Sequence, residues 1–458
     1  MKSVPASGNC EKREPMRITV IGTGYLGATH AACMAELGFD VLGLDIDPMR
    51  VAALSEGQLP FHEPGLPELL KRQVKSGRLR FTASYQEVGA WGDVHFIGVG
   101  TPQRAGEGAA DMSFVDAATV SLARNITKDA LIVGKSTVPV GTTRRLKTLV
   151  EDNKRHGVTV TVAWNPEFLR EGFAVVDTLT PDRIVIGVES LEDEAILRKV
   201  YATALAGGVP LISTDFETAE LVKVAANAFL ATKISFINAF SEVTEVIGGD
   251  IRTLADAIGL DARIGRRFLN AGIGFGGGCL PKDIRALQAR AAELGVDRSM
   301  RFLDEIDAIN LRRRERAVDL ARVMLGSLAG CNVAILGVAF KPNSDDVRDS
   351  PALDIANRLS DEGAEVWIYD PKGNLNAALR SPQHHYAPST EAAVKNADLI
   401  LLLTEWEEFV SLTPEVLSAQ TGTRKIIDGR NILRAHEWEE SGWSVGSLGR
   451  RHSVGAVR

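Results

Sequence analysis

Cysteine is scarce in this chain, and the few that exist form no recognisable pair. The 4 cysteines, Cys10, Cys33, Cys279 and Cys331, lie far apart and show no CxxC spacing. The sequence therefore lacks the pattern of a disulfide framework and of a structural zinc site, and we predict no metal. It also lacks any run of about 18 apolar residues that could cross a membrane, and its polar first 15 residues lack the apolar core of a signal peptide. These absences predict a cytoplasmic protein with no membrane partner.

Basic residues are not in excess either. The 458 residues include 52 Lys and Arg against 59 Asp and Glu, for a formal net charge of −7. The chain therefore lacks the overall basic surface of a nucleic-acid-binding protein. Hydrophobic residues make up 45% of the chain, which is ordinary for a soluble globular protein. This length predicts about three domains, each able to bury a core without disulfides or metals.

The first part of the chain has the rhythm of a parallel sheet. Short apolar runs at residues 17–21 and 41–45 flank a helical stretch at 25–37, which is the order of a βαβ unit. Similar runs continue as far as about residue 188. We predict a flexible tail over residues 1–15 and a doubly wound α/β domain over residues 16–210.

The middle of the chain is helical. Residues 218–247 contain no glycine or proline and predict one long helix. Residues 298–328 predict another, and a glycine-rich loop at 272–278 lies between them. Long helices without strands are typical of a spacer or dimerisation domain, which we place at residues 211–328.

A second α/β pattern begins with the apolar run Asn332–Leu336 and continues with Glu365–Tyr369. It predicts a third domain over residues 329–440, followed by a C-terminal tail over residues 441–458. The predicted fold class is α/β, with two Rossmann-like doubly wound domains joined by a central helical dimerisation domain.

A glycine-rich turn marks the first nucleotide site. Gly22, Gly24 and Gly27 follow a strand and open a helix, so a pyrophosphate could lie against the helix N-terminus. Asp45 ends the second strand, where an acidic residue binds the adenine ribose hydroxyls. That carboxylate would repel a 2′-phosphate, which favours NAD, although the nearby Arg50 leaves NADP as an alternative.

Thr101 and Thr137 follow the third and fourth main strands of this domain. Ligands of open α/β sheets lie at the carboxyl ends of the strands, so both hydroxyls are candidates for contact with cofactor or substrate. Taken alone, each threonine would more often be a turn or cap residue.

Cys279 is the candidate reactive residue. It follows three successive glycines and precedes a helix start, and both features predict an exposed thiol with a lowered pKa. Lys282 and Asp283 follow closely and would give it a charged neighbourhood. The alternative is a small apolar cysteine in a glycine-rich loop, which is the common role of a single cysteine.

Four further charged or polar residues are candidates. Lys223 and Asn227 are four positions apart on the long helix and therefore share a face. Glu167 and Glu171 lie in a loop that follows a strand. By spacing alone, Lys223 would be a solvated charge and the two glutamates would be surface residues.

These segments together resemble a known family, the UDP-glucose/GDP-mannose dehydrogenases. The resemblance rests on GTGYLG, KSTVPVGT, NPEFLREG, LVKVAANAFLATKISFINA, DARIGRRFLNAGIGFGGGCLPKD, GVAFKPNSDDVRDSP and DGRNI, and it covers roughly residues 16–435. Within the family, the AANAFLATKISFIN helix and the ARIG…GFGG loop resemble the branch that acts on UDP-glucose.

The resemblance implies a four-electron, NAD-dependent oxidation of a nucleotide sugar at C6, with UDP-glucose giving UDP-glucuronate. Cys279 would capture the intermediate aldehyde as a thiohemiacetal, and a second oxidation would leave a thioester. Lys223 and Asn227 would stabilise oxyanions, and Asp283 would orient or activate water. Glu167 would be the base in thioester hydrolysis, with Thr137 holding water.

The resemblance also implies binding residues and a partner. The implied NAD contacts are Gly22, Gly24, Tyr25, Leu26, Gly27, Asp45, Arg50, Thr101, Thr137, Glu171, Lys282 and Arg348. The implied nucleotide-sugar contacts are Glu167, Phe168, Leu169, Arg170, Glu171, Lys223, Asn227, Arg263, Phe268, Leu269, Asn270, Ala271, Gly272, Gly276, Phe340, Lys341 and Arg430. Arg263 resembles an arginine that reaches the partner subunit's substrate, which implies a homodimer through the central helices. One departure is Gly278, where serine is common in the family.

Two other functions stay open. The substrate could be GDP-mannose or a UDP-N-acetylhexosamine, since a base-contacting loop decides this. A different class would be a non-catalytic scaffold that binds NAD or a nucleotide sugar. Cys279, Lys223, Asp283 and Glu167 speak against the scaffold, because binding alone needs none of them.

Overall fold

The computed structural model describes residues 16–450. The predicted N-terminal tail and the last eight residues, 451–458, therefore lie outside the described residues. None of the helices within the described range is both long and apolar enough to span a membrane.

The first domain is an eight-stranded sheet with helices on both faces. Its strands are β1 (Arg17–Ile21), β2 (Asp40–Leu44), β3 (Leu79–Thr82), β4 (Val94–Ile97), β5 (Ala130–Gly134), β6 (Val160–Trp164), β7 (Ile184–Gly187) and β8 (Leu211–Thr214). Its helices are α1 (Tyr25–Glu36), α2 (Pro48–Ser55), α3 (Leu66–Ser76), α4 (Tyr85–Trp91), α5 (Ser113–Asn125), α6 (Thr142–Asn153), α7 (Ala174–Leu179), α8 (Leu191–Val200) and α9 (Ala202–Ala206).

The strand order of this sheet is β3-β2-β1-β4-β5-β6-β7-β8. Every pairing is parallel except that of β6 with β7. The order reverses between β1 and β4, so a crevice opens there at the carboxyl ends of the strands. The predicted doubly wound architecture is confirmed.

The middle of the chain is built from helices. They are α10 (Phe216–Ile247), α11 (Ile251–Gly259), α12 (Leu280–Glu293), α13 (Asp297–Met300) and α14 (Phe302–Leu325). The 32-residue α10 begins where the Asp215 carboxylate accepts a hydrogen bond from Thr218 N, and it ends at Gly248 with φ 80°. The side chains of α12 and α14 pack against it in one apolar cluster with Ala231, Phe275 and Leu303.

The last domain repeats the α/β plan with six strands. They are β9 (Asn332–Leu336), β10 (Glu365–Tyr369), β11 (His385–Tyr386), β12 (Leu399–Leu402), β13 (Lys425–Asp428) and β14 (Ser444–Ser447), in the order β11-β10-β9-β12-β13-β14. All are parallel. The accompanying helices are α15 (Pro351–Asp361), α16 (Asn374–Arg380), α17 (Thr390–Val394), α18 (Glu407–Val410), α19 (Pro414–Ser418) and α20 (Ala435–Glu440).

Strand β14 corrects the predicted C-terminal tail over residues 441–458. Residues 444–447 pair with β13, because Trp443 and Val445 are buried and Trp443 packs edge-on against Trp438. The chain then returns to the helical region, where Gly449 O accepts hydrogen bonds from the Thr244 hydroxyl at 3.0 Å and from Ile251 N at 3.3 Å. These residues belong to the folded body.

Candidate active site

The glycine-rich turn after β1 leaves a bare backbone surface at the start of α1. A Cβ on Gly22 would lie 2.6 Å from Val99 Cγ1, and one on Gly27 would lie 1.8 Å from Gly22 O, whereas one on Gly24 would meet nothing within 4 Å. Gly22 also has φ 84°. Two of the glycines are therefore required by close packing, and the third keeps open the face that a pyrophosphate would approach.

Asp45, at the end of β2, is directed into this turn. Its carboxylate accepts hydrogen bonds from Thr23 N at 2.9 Å and Asp47 N at 3.0 Å, and it pairs with Arg50 at 3.1 Å. A fixed carboxylate beside an open glycine turn fits the adenine ribose of a dinucleotide. Leu26 continues from this turn as the second residue of α1.

A buried group of hydrogen bonds centred on Glu63, here called the strut, links α1 to the loop that contains Glu167 and Glu171. The Tyr25 hydroxyl donates a short hydrogen bond to Glu63, whose carboxylate also accepts from Gly172 N at 2.6 Å and Ala174 N at 2.7 Å. Burial and then Glu63 raise the pKa of Tyr25, so this hydroxyl remains a donor. The strut holds the end of the NPEFLREG loop beside the cofactor helix.

Cys279 lies at the junction of all three domains. It is the N-cap residue of α12, and its side chain is open to solvent. Behind it, a Cβ on Gly276 would lie 2.2 Å from Asp349 O, and one on Gly277 would lie 2.8 Å from the Phe340 ring. The glycines thus let the cysteine loop pack closely against the last domain.

Lys223 and Glu167 form an ion pair that interacts electrostatically with the cysteine. Lys223 Nζ lies 3.1 Å from Glu167 Oε1, and the two side chains are 6% and 12% exposed. Burial alone would lower the pKa of Lys223, but the attraction of Glu167, Cys279 and Asp283 outweighs it and raises that pKa. Lys223, which by spacing alone would be a solvated charge, is thus a buried ammonium group, as the family resemblance implies for a site residue.

Asp283 is the centre of a second group of polar side chains. Its carboxylate accepts hydrogen bonds from Asn227 Nδ2 at 2.6 Å and Lys282 Nζ at 2.7 Å. Lys282 reaches the Thr101 hydroxyl at 3.4 Å, and that hydroxyl donates to Thr137 O at 2.9 Å. A continuous polar chain therefore joins the cysteine helix to the strand ends of the first domain.

The thiol is not acidic in this arrangement, contrary to the sequence-based prediction. Burial raises the pKa of Cys279 to about 12, with further increases from Glu167 and Asp283 and an opposing effect from Lys223. Solvent reaches the residue from one side, but the protein around the rest of the thiol disfavours its charged form. The helix N-terminus and the glycines favour a thiolate locally, but burial, followed by the charges of Glu167 and Asp283, outweighs them.

Glu171 bridges the first and last domains. Its carboxylate accepts a hydrogen bond from the Ser344 hydroxyl at 3.1 Å and lies 3.3 Å from Arg348 Nη2. Burial, followed by the nearby Asp346, raises the pKa of Glu171 to about 7. Lys341 belongs to the same group of charges, and burial lowers its pKa although Glu171 and Cys279 oppose that shift.

The implied nucleotide-sugar loop, residues 268–276, is held from beneath by the long helices. Gly272 N donates to Asn238 Oδ1 at 2.8 Å, and Gly272 O accepts from the buried Arg313 at 3.1 Å. Leu269 and Ala271 are buried in an apolar cluster, which leaves only their backbone for a ligand. Phe268 adopts φ 66° and stays partly exposed, and Asn270 binds Arg266 at 2.7 Å.

Arg430 ties three loops together. Its guanidinium donates to Leu403 O at 2.7 Å, Gly274 O at 3.0 Å and Phe340 O at 3.2 Å. It therefore sets the relative position of the cysteine loop and the last domain. A nucleotide diphosphate at this place would meet a guanidinium that is already fixed.

The remaining implied contacts are more scattered. Arg183 lies over the Phe168 ring, with its Cζ 4.0 Å from the ring centroid. Leu169 N donates a hydrogen bond to Glu167 Oε2 at 2.8 Å. Arg170 pairs with Asp177 at 2.7 Å on the surface. Arg263 is 89% exposed and pairs with its near neighbour Asp261 at 2.6 Å, so within one chain it faces solvent.

Sequence reasoning did not single out the buried group that fixes the glutamate loop. Lys135 donates to Asn165 Oδ1 at 2.9 Å, and the Tyr201 hydroxyl donates a short hydrogen bond to the same oxygen. Asn165 Nδ2 in turn donates to Val185 O at 2.8 Å. A lysine at the carboxyl end of an otherwise apolar strand was the available signal, since such a charge must find buried partners.

Comparison with known proteins places this site in a family. Three family profiles match the chain, described as the UDP-glucose/GDP-mannose dehydrogenase family NAD binding domain over residues 16–205, its central domain over 217–312 and its UDP binding domain over 334–435. The chain belongs to the UDP-glucose/GDP-mannose dehydrogenase family.

Individual relatives span the whole described fold. A UDP-glucose 6-dehydrogenase of Rhizobium meliloti is 42% identical over 438 residues, covering 95% of this chain and 100% of the relative. A UDP-glucose dehydrogenase structure from Pyrobaculum islandicum is 37% identical with a TM-score of 0.86, covering 95% and 98%. A UDP-D-ManNAc dehydrogenase structure from Pyrococcus horikoshii is 29% identical with a TM-score of 0.81, covering 95% and 99%.

Proposed function

We propose that this chain oxidises UDP-glucose to UDP-glucuronate through a covalent adduct on Cys279. The observation that carries the proposal is an accessible thiol that interacts electrostatically with Lys223, Glu167 and Asp283, the first two of which form an ion pair. A nucleotide-binding scaffold would not need a thiol surrounded by buried charges, each of which costs stability. The names of the full-length relatives support the same reaction class and substrate.

The cofactor that fits the first domain is NAD⁺. The open Gly24 and the fixed Asp45 carboxylate would hold its pyrophosphate and adenine ribose, and Thr101, Lys282 and Arg348 line the way towards Cys279. NAD⁺ supplies a hydride acceptor when it is bound. The chain's own residues must then position the sugar, trap the aldehyde and release the acid.

Cys279 traps the half-oxidised sugar. Its sulfur forms a bond to the aldehyde carbon as the π bond of the carbonyl breaks, and the thiol proton is transferred to the former carbonyl oxygen, which becomes the hydroxyl of a thiohemiacetal. The buried ammonium of Lys223 and the amide of Asn227 would stabilise the negative charge that develops on that oxygen. The adduct again has a hydrogen on carbon, so a second oxidation can leave a thioester.

Hydrolysis of the thioester completes the reaction. A water oxygen bonds to the acyl carbon, the C–S bond breaks, and the thiol regains a proton. Glu167 would accept a proton from this water, Asp283 would orient it, and Thr137 would help to hold it. The pKa of about 12 for Cys279 makes the sulfur a group that needs reprotonation as it leaves, and Lys223 can supply that proton.

The uridine diphosphate would lie between residues 268–276 and the last domain. Phe340, Lys341 and Arg430 belong to the last domain at this junction, where Gly272 and Gly276 allow the loop to pack closely against it. The base would lie against the loop, and the diphosphate would be attracted by Lys341 and by the fixed guanidinium of Arg430. This orientation directs the sugar towards Cys279.

We also propose a cytoplasmic homodimer. Helix α10 exposes a row of large apolar side chains, namely Phe229, Phe236, Phe240, Val243, Val246 and Ile247. A continuous apolar face on a single helix is typical of a surface that another subunit covers. Arg263 is exposed, and the neighbouring Ile264 is held against the middle of this helix by Lys233, so Arg263 could reach a partner's site. The cytoplasm keeps an unpaired thiol reduced.

The test is turnover with a panel of nucleotide sugars. Purified protein with NAD⁺ is expected to form NADH from UDP-glucose, with two NADH per UDP-glucuronate as counted by chromatography. GDP-mannose, UDP-N-acetylglucosamine and UDP-N-acetylmannosamine serve as competitors. NADH from one of these but not from UDP-glucose would refute the substrate, and one NADH per product would refute the covalent route. Binding without NADH from any sugar would indicate a scaffold.

A further inference from the structure

Gly278 lies directly before the cysteine, and its backbone conformation does not require a glycine. Its φ does not lie in the left-handed region that favours glycine, unlike Gly274 at 96° and Gly277 at 83°. An L residue would therefore be compatible with the backbone at this position. The reason for the missing side chain has to be sought in its surroundings.

The space beside Gly278 is filled by one side chain. A Cβ on Gly278 would lie 2.4 Å from Cζ of Arg348 and 2.6 Å from both of its terminal nitrogens. These three atoms are nearly equidistant, so the flat face of the guanidinium covers the glycine. Gly276 and Gly277 meet backbone atoms or a ring instead. Of these three glycines, Gly278 is the one whose nearest neighbour is a charged group.

Arg348 is fixed in this position by several contacts. Its backbone oxygen accepts a hydrogen bond from Gly277 N at 2.9 Å. Its guanidinium binds Asp346 at 2.6 Å and lies 3.3 Å from Glu171. Hydrogen bonds to Asp346 raise the pKa of Arg348, and burial lowers it. The attraction of Asp346, Glu171 and Cys279 adds to the increase, so the pKa is raised overall. The guanidinium is therefore a permanent charge within electrostatic reach of the thiol.

We propose that Gly278 lacks a side chain so that the Arg348 guanidinium can lie flat beside Cys279 and stabilise negative charge on the sulfur. Arg348 is then more than a cofactor contact, and Gly278 is a positioning residue that acts through it. The charged groups that act on the thiol are Glu167, Glu171, Asp283, Lys223, Lys341 and Arg348. Three are negative and three are positive, so loss of Arg348 leaves an acidic excess around the sulfur.

The proposal bears on the reaction proposed above, but its test does not require turnover. Iodoacetamide is neutral and alkylates the thiolate, so its rate at a fixed pH below the thiol pKa measures the thiolate fraction. The modified fraction of Cys279 is quantified by peptide mass spectrometry, which separates it from the other cysteines. The samples are the full chain and the variants Gly278→Ala, Arg348→Gln and the double variant.

Each single variant is expected to be alkylated about three- to tenfold more slowly than the wild type, which corresponds to a rise of about 0.5 to 1 in the thiol pKa. The double variant is expected to be no slower than Arg348→Gln alone, because the alanine acts only by displacing the arginine. Simple opening of the site would speed alkylation, so it cannot produce this result. Arg358→Gln, which removes an exposed arginine paired with Asp354, is the charge control and should not change the rate.

Two results would overturn the proposal. An unchanged or faster rate in Arg348→Gln would show that the guanidinium does not stabilise the thiolate, and this variant remains informative if Gly278→Ala does not fold. Multiplicative effects in the double variant would show that Gly278 acts through the loop and not through Arg348. If wild-type protein forms no NADH from UDP-glucose, the proposed reaction fails while the alkylation result stands by itself.

Discussion

Asp45 and Asp370 occupy equivalent positions in the two sheets, at the end of the second strand of each domain. Asp45 Oδ2 accepts a hydrogen bond from Thr23 N at 2.9 Å, and Asp370 Oδ2 accepts from Val338 N at 2.7 Å and Ala339 N at 2.8 Å. The two aspartates differ in their further hydrogen-bond partners. Asp370 also binds Trp406 Nε1 at 3.1 Å, so its turn is closed by protein. The turn at Asp45 is open at Gly24.

The two aspartates therefore predict different effects of the same substitution. Asp45→Asn removes the charge that opposes a 2′-phosphate, and we expect the ratio of kcat/KM for NADP⁺ to that for NAD⁺ to rise by about tenfold or more. Asp370→Asn sets an amide against backbone N–H groups and should cost about 1–3 kcal/mol of stability, with the same cofactor ratio as wild type. Kinetics with both cofactors and chemical denaturation provide the measurements. A shifted ratio in Asp370→Asn would contradict the assignment.

Replacement of the thiol separates binding from chemistry. Cys279→Ala is expected to reduce acid formation by more than about a thousandfold, because the aldehyde can no longer be held covalently. Its affinity for UDP-glucose by calorimetry should stay close to that of wild type. Cys331→Ala, at a partly exposed thiol outside the site, is the matched control and should retain full turnover. Substantial acid formation by Cys279→Ala would rule out the covalent route.

The fold could be predicted where the signal is local. The turn at Gly22, the acidic residue at Asp45 and the glycine-free stretch of α10 each depend on neighbouring residues, and all three lie where the pattern placed them. The strands without a clear apolar run are β3, β8, β11 and β14, which are the edges of the two sheets. An edge strand has one paired side and needs less apolar sequence, as the exposed pattern of β8 illustrates.

The electrostatics of the site could not be predicted in the same way. Around Cys279 the local signals are glycines and a helix N-terminus, which favour a thiolate. The effects that reverse this are burial of the thiol and then the charges of Glu167 and Asp283. Asp283 is only four residues away in the sequence, but the burial and the approach of Glu167 depend on the packing of separate segments. The contact between Gly278 and Arg348 is also set by tertiary structure, so the local sequence does not show it.

Glu171 predicts a pH dependence of stability. Its pKa rises from an ordinary 4.5 to about 7 in the folded chain, so the folded state binds this proton more tightly than the unfolded state does. Its contribution to stability is thus complete below about pH 4.5 and is lost as the pH rises through 7. Glu171→Gln lacks the ionisation. We expect the Tm of this variant minus that of wild type to increase from pH 5 to 7 and to level off above 8. A difference that falls over this interval would contradict the assigned direction.

The exposed Arg263 predicts complementation between subunits. If it completes the partner's site, a heterodimer of Arg263→Ala and Cys279→Ala chains contains one site with both defects and one with neither. Two different affinity tags on coexpressed chains allow this heterodimer to be purified. Its activity should be about half that of wild type per dimer, although the Cys279→Ala homodimer is inactive and the Arg263→Ala homodimer is weak. If the heterodimer shows only half of the Arg263→Ala activity, the arginine acts within its own subunit, and the two sites of a dimer are complete without each other.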